Sequence, residues 1–206
     1  NGSIMDKLIS FALPLMLSGI LQLMFNAVDI IVVGHFSSSQ ALAAVGSNSS
    51  LIALMINLFI GISLGSNVVI AHYIGQRSEK NIQAAIHTAI VVALVSGIFV
   101  MIFGQFIAKP VLSLMGTPDD VIAVVYLRIY LLGMPFIMLY DFGSSILRST
   151  GDSRRPLYSL IVAGVINTVL NLVLVIGFKM GVSGVAIATV ISNMVSSGII
   201  VYIMTH

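Results

Sequence analysis

Cysteine and tryptophan are absent from the 206 residues, and only 8% of the side chains are charged. Without cysteine there is no disulfide framework, no thiol nucleophile and no cysteine-bound metal. A soluble domain carries about 25% charged residues, so an ordinary water-facing surface is excluded. What fills the chain instead is apolar: 58% hydrophobic residues and a mean hydropathy of +1.12. This is the composition of an integral membrane protein, and its first partner is the lipid bilayer. A net charge of +2 is too small and too dispersed for a nucleic-acid partner. The first apolar run continues through Pro14 to Asp29, too long for the core of a cleavable signal peptide.

The few charges punctuate the sequence. A helix crosses about 30 Å of hydrocarbon with about 20 residues. The spacing predicts six spans, at about 7–33, 50–73, 81–107, 121–146, 156–178 and 182–202, forming a single all-α membrane lobe over 1–206. The polar cluster at 35–40 divides the long uncharged stretch between Asp29 and Arg77. Thr117-Pro118-Asp119-Asp120 reads as a helix start: a capping Thr, Pro in the first turn, and acids at the positive end of the dipole. Lys7, Arg77, Lys80, Arg148, Arg154 and Arg155 fall on one side of the membrane and Lys109 and Lys179 on the other, with Arg128 inside span four. That asymmetry predicts a multi-pass protein of the cell membrane with both ends of the segment cytoplasmic.

Polar groups inside apolar spans need a reason. Asp29 continues a stripe of Ser18, Gln22 and Asn26, spaced four, four and three apart, so all four share one helix face. A carboxylate at the centre of a spanning helix costs about 2.5–3.5 kcal/mol. It calls for a partner, a proton or a cation. Span five places Asn167 and Asn171 one turn apart, with Gly164 before them; span six offers Thr189 and Asn193. One carboxylate, two amide carbonyls and a hydroxyl are hard oxygen ligands, suited to an alkali cation or to a protonated carboxyl with hydrogen-bond partners. Either a structural hydrogen bond or an ion site answers this pattern. Pro14 interrupts span one a few turns before the stripe and is a candidate hinge, whereas Pro135 reads as structural. Asp141 is the second intramembrane acid, either lining a pathway or pairing locally with Arg148. His87 is expected between helices, and Gly61 with Gly65 forms a small-xxx-small pattern suited to close packing.

An enzyme is not supported. An intramembrane aspartyl protease needs a second Asp in a Gly-x-Gly-Asp setting, and Gly151-Asp152 lacks the first Gly and lies in a loop. No His-Glu-x-x-His and no Walker loop occur, and no cofactor is expected.

Several stretches together resemble the multidrug and toxic compound extrusion (MATE) family. They are Val28-Asp29-Ile30-Ile31-Val32-Val33-Gly34 with Gln22 and Asn26, Leu147-Arg148-Ser149-Thr150-Gly151-Asp152 running on to Pro156, Asn167 with Asn171, and Gly181 to Thr189. The resemblance runs in order along essentially the whole chain. It implies a secondary antiporter exporting amphipathic or cationic organic compounds in exchange for H+ or Na+. It further implies a cation or proton site at Asp29, Asn167, Asn171 and Thr189, with Gln22, Asn26, Asn193 and Asp141 lining the pathway. Many members carry Asp at the position of Asn171, so this site holds less negative charge. Family members have twelve helices in two lobes, so the expected partner is a C-terminal lobe or another half. Two further readings stay open: a non-transporting membrane half that assembles with a partner, and a lipid-precursor flippase of the same superfamily.

Overall fold

The computed structural model describes residues 4–116 and 120–206. The predicted helix start at Thr117-Pro118-Asp119 lies outside the described residues. The elements are helical: α1 (Ile4–Phe36), α2 (Ser39–Gly75), α3 (Glu79–Leu114), α4 (Asp120–Leu132), α5 (Met134–Ser149), α6 (Arg154–Asn171) with a π-helical extension (Leu172–Gly177), and α7 (Gly181–Thr205). Five helices are each long and apolar enough to cross a membrane, and α4 with α5, bent by 48° at a short break, makes a sixth, broken span.

Apart from α3, which runs on to Leu114 rather than ending near 107, two departures from the expectation stand out. The second helix begins at Ser39 rather than near residue 50. Ser38 caps its start by accepting from Ala41 N–H at 3.2 Å, and the polar side chains further along find partners within the helix: Ser47 Oγ donates to Ala43 O at 2.9 Å, Asn48 Nδ2 to Ala44 O at 2.9 Å, and Ser49 Oγ to Val45 O at 2.7 Å. The fourth span is not one helix. Pro135 lacks an N–H and its ring crowds the carbonyl one turn back, so the helix breaks at Gly133 and restarts with the proline in its first turn, where it is tolerated. The amides of Phe136 and Ile137 both turn back to Gly133 O at 3.0 Å. By contrast α1 runs unbroken through Pro14, and Ser18 Oγ donates to Pro14 O at 2.8 Å.

In lipid, apolar burial does little to associate helices, so close packing and hydrogen bonds do the work. The seam is on α3, whose buried face reads Ala89, Ala93, Gly97, Val100, Gly104, Ala108 and Leu112. These recur every three or four residues and let α4 and α5 approach closely. Central α5 buries Met134, Met138 and Phe142 almost completely. Gly61 and Gly65 instead face outward with nothing within 4 Å, so their predicted close packing does not occur within this lobe. His87 is likewise exposed rather than between helices.

Asn48 is fully buried and donates to Ala123 O at 3.0 Å, tying α2 to α4. Asn48→Ala is expected to cost about 1 kcal/mol, the scale of one interhelical hydrogen bond in a membrane. Thermal melting of the detergent-solubilised protein measures this.

Candidate functional site

Three helices converge where α1, α6 and α7 meet. Gly164 on α6 receives the Phe25 ring of α1: a Cβ there would lie 1.9 Å from Phe25 Cζ. Because of that close approach, Asp29, one turn beyond Phe25, reaches Asn171. There α6 gives way to the π-helical stretch, whose wider turn is seen in the bond from Phe178 N–H to Val173 O at 3.0 Å. Isolated π turns are frequent at functional sites.

A directional chain of side-chain hydrogen bonds links the helices. Asn171 Nδ2 donates to Asp29 Oδ1 and also to Asn167 Oδ1, the latter at 3.1 Å. Asn167 Nδ2 donates to Thr189 Oγ1 at 3.4 Å, and the Thr189 hydroxyl donates to Val185 O at 3.0 Å. Asn167 and Asn171 are buried; Asp29 and Thr189 are half-buried. Among the described residues, Asn171 Oδ1 is buried with no hydrogen-bond partner. An unpaired carbonyl oxygen beside a carboxylate is suited to a small hard cation, so the donor set fits Na+ as well as a proton.

The four residues named from the sequence as the ion cluster therefore meet in one chain. Asn193, one turn beyond Thr189, is half-buried and stands outside it. Gln22 and Asn26 share the α1 face but are exposed on the lobe surface. Asp141 lies on α5 and takes no part in these hydrogen bonds. Asp29 is seven residues from the end of α1 at Phe36, and Thr189 eight from the start of α7 at Gly181. At 1.5 Å per residue the cluster sits about 10–12 Å from that end of the bundle. It is off-centre, towards the Gly181 side.

Two tyrosines add to the picture that the sequence reading missed. Tyr126 and Tyr130 stand one turn apart on α4 with ring centroids 6.1 Å apart. Their one-turn spacing was the available signal. The run Gly61-Ile62-Ser63-Leu64-Gly65 has the spacing of a hydrolase nucleophile elbow, which needs a strand-to-helix turn. Here it lies within α2, and Ser63 Oγ donates to Ile60 O at 3.0 Å.

Long apolar helices around a buried carboxylate–amide chain define a polytopic membrane protein with the makings of an ion site. Residues 14–173 match the MatE family, and the chain belongs to it, a family of transporters rather than enzymes. The probable multidrug resistance protein YoeA of Bacillus subtilis (strain 168) is 39% identical over 189 residues, which are 89% of this chain and 41% of that protein. The probable multidrug resistance protein NorM of Thermotoga maritima is 27% identical over 208 residues, covering 98% of this chain and 44% of that one. Among solved structures, a crystal structure of MATE in the bent conformation matches with a TM-score of 0.91 at 27% identity, covering 98% of this chain and 45% of that chain. MATE in the straight conformation matches with a TM-score of 0.90, also at 27% identity, covering 96% of this chain and 44% of that one. The chain spans less than half the length of these relatives.

Proposed function

We propose that this chain is the N-terminal six-helix lobe of a secondary antiporter that exports amphipathic or cationic organic compounds in exchange for H+ or Na+. The observation that carries the reading is the chain Asp29–Asn171–Asn167–Thr189, which joins three helices around one carboxylate. A single negative charge is neutralised one-for-one by a proton or by Na+. Binding there draws α1, α6 and α7 together, and Pro14 is the bending point through which α1 responds. Gln22, Asn26 and Asn193 line the substrate path towards a second lobe, since alternating access needs two halves moving about a site between them. The termini of the segment lie in the cytoplasm, following the loop cations.

The test is dye export from cells making the complete transporter, with the H+ and Na+ gradients collapsed separately. Ethidium efflux that stops with one gradient identifies the coupling ion. Efflux indifferent to both gradients would refute ion-coupled antiport.

A further inference from the structure

Residues 4–10 of α1 are all exposed, so packing does little to set the direction of this arm. Hydrogen bonds do. The buried Ser153 donates from Oγ to Phe11 O at 2.9 Å, and Arg154 Nη2 donates to Ser10 Oγ at 3.0 Å. Both donors stand at the turn between α5 and α6, which is itself held from several directions. Gly151 takes φ +88°, a backbone that favours glycine. The Asp152 amide donates to Leu147 O at 3.0 Å, tying the turn to the end of α5. Its carboxylate closes the other side: Oδ1 accepts from the amides of Arg154 and Arg155, both at 3.1 Å, and Oδ2 pairs with Arg155 Nε at 3.2 Å. This turn grips α1 beside a weak point of the helix. Pro14 has no N–H, so Ser10 O lacks the ladder bond it would otherwise accept. Ser10 and Phe11 lie on the N-terminal side of that gap. On the other side Pro14 is buried, and Asp29 is bound by Asn171 about 27 Å from Phe11, at 1.5 Å per residue.

We propose that the 151–154 turn is a fixed clamp on the N-terminal arm of α1, and that Ser153 and Arg154 are positioning residues that make Pro14 a pivot. A helix held only at Asp29 would answer a change there by sliding or tilting as one rod. With Ser10 and Phe11 tied to a rigid turn, the arm before Pro14 stays with α5 and α6, and the arm after it swings. The backbone gives at Pro14 at least cost, because no ladder hydrogen bond has to break there. An ion at Asp29 shifts this equilibrium only by as much as it binds one position of the swinging arm better than another. The clamp preserves that difference, since an arm free at its base could keep its ion contacts without bending. The clamp rests on contacts among this chain's own residues, and its use in export rests on the antiport reading above.

This segment has no cysteine, so introduced pairs take spin labels selectively once other cysteines of the complete transporter are replaced. Leu8→Cys with Tyr158→Cys reports on the clamped arm, and Ile31→Cys with Phe178→Cys on the swinging one; all four positions are exposed. In lipid nanodiscs, adding Na+ or lowering the pH should shift the second distance and leave the first narrow and unchanged. Ser153→Ala and Arg154→Ala should each broaden the first distance and shrink the ion-driven shift of the second. Ethidium efflux should slow about tenfold, the scale of one such hydrogen bond, while the Kd for ethidium holds. Ser153→Thr, which keeps the hydroxyl, should restore both the narrow distance and the rate. Arg154 is exposed, so its variant carries the test should Ser153→Ala misfold. Three results would each overturn the pivot: a first distance that moves with the ion in the unmodified protein, a second that answers neither Na+ nor protons, or a clamp variant with wild-type distances and rate. Wild-type efflux indifferent to both gradients would instead remove the antiport reading, while the label distances would still report on the clamp.

Discussion

Asp29→Asn is expected to abolish gradient-driven efflux while leaving the fold in place. Asn has the shape of Asp, and its side-chain oxygen still accepts from Asn171 Nδ2, so the contact between α1 and α6 survives. What disappears is the charge. Removing one member of a buried charge pair costs about 2–5 kcal/mol. At 1.4 kcal/mol per tenfold, that is at least about a thirtyfold loss of ion affinity. Ethidium efflux should fall to the level of non-expressing cells, and the melting temperature should change little. Unchanged, gradient-dependent efflux would take Asp29 out of the mechanism; a collapsed melting temperature would make it structural.

Gly97→Ala should be the most destabilising small substitution in the lobe. A Cβ at Gly97 would stand 2.5 Å from Pro135 Cα, 3.1 Å from Pro135 N and 3.2 Å from Met134 O. All three are backbone atoms at the break between α4 and α5, so no rotamer change relieves the collision. Overpacking of this kind costs about 1–3 kcal/mol, and more where the backbone has to move. Two other glycines calibrate the effect. Gly164→Ala meets the tip of the Phe25 ring, which can swing aside, so the loss is smaller and Phe25→Leu should restore part of it. Gly61→Ala meets nothing within 4 Å and should be neutral or gain up to about 1 kcal/mol of helix propensity. Melting curves in detergent rank the three; a Gly97→Ala variant as stable as Gly61→Ala would show that α3 and α5 do not pack backbone to side chain at this point.

The spans and the polar residues inside them were legible because each breaks a strong rule. A charge ends an apolar run, and a carboxylate or amide within one is an exception that asks for a partner. Asp29, Asn167, Asn171 and Thr189 could be picked out on those grounds before any contact was known. The start of α2 was not legible, since Ser47, Asn48, Ser49 and Ser50 together look like a loop. In a helix Ser47, Asn48 and Ser49 satisfy their polar groups on carbonyls one turn back, so they can sit inside an apolar span, which composition does not reveal. The break at Gly133 was hidden because the residues on both sides are equally apolar. Pro135 marked it, but a proline in a span can also sit in a continuous helix, as Pro14 does in α1. The small-residue seam on α3 has the same spacing as the outward-facing glycines of α2, and only the packing tells them apart.

The direction of the hydrogen-bond chain bears on which ions can use it. Of the five donor hydrogens on the side chains of Asn167, Asn171 and Thr189, four are spent: two from Asn171, one from Asn167 and one from Thr189. A visitor therefore meets mostly oxygen lone pairs, including the unpaired Asn171 Oδ1. Chloride or hydroxide would find almost no donor to replace its hydration shell. The sign of the permitted ion is thus written twice, once in the charge of Asp29 and once in the orientation of neutral amides. Neutralising Asp29 alone should not turn this into an anion port.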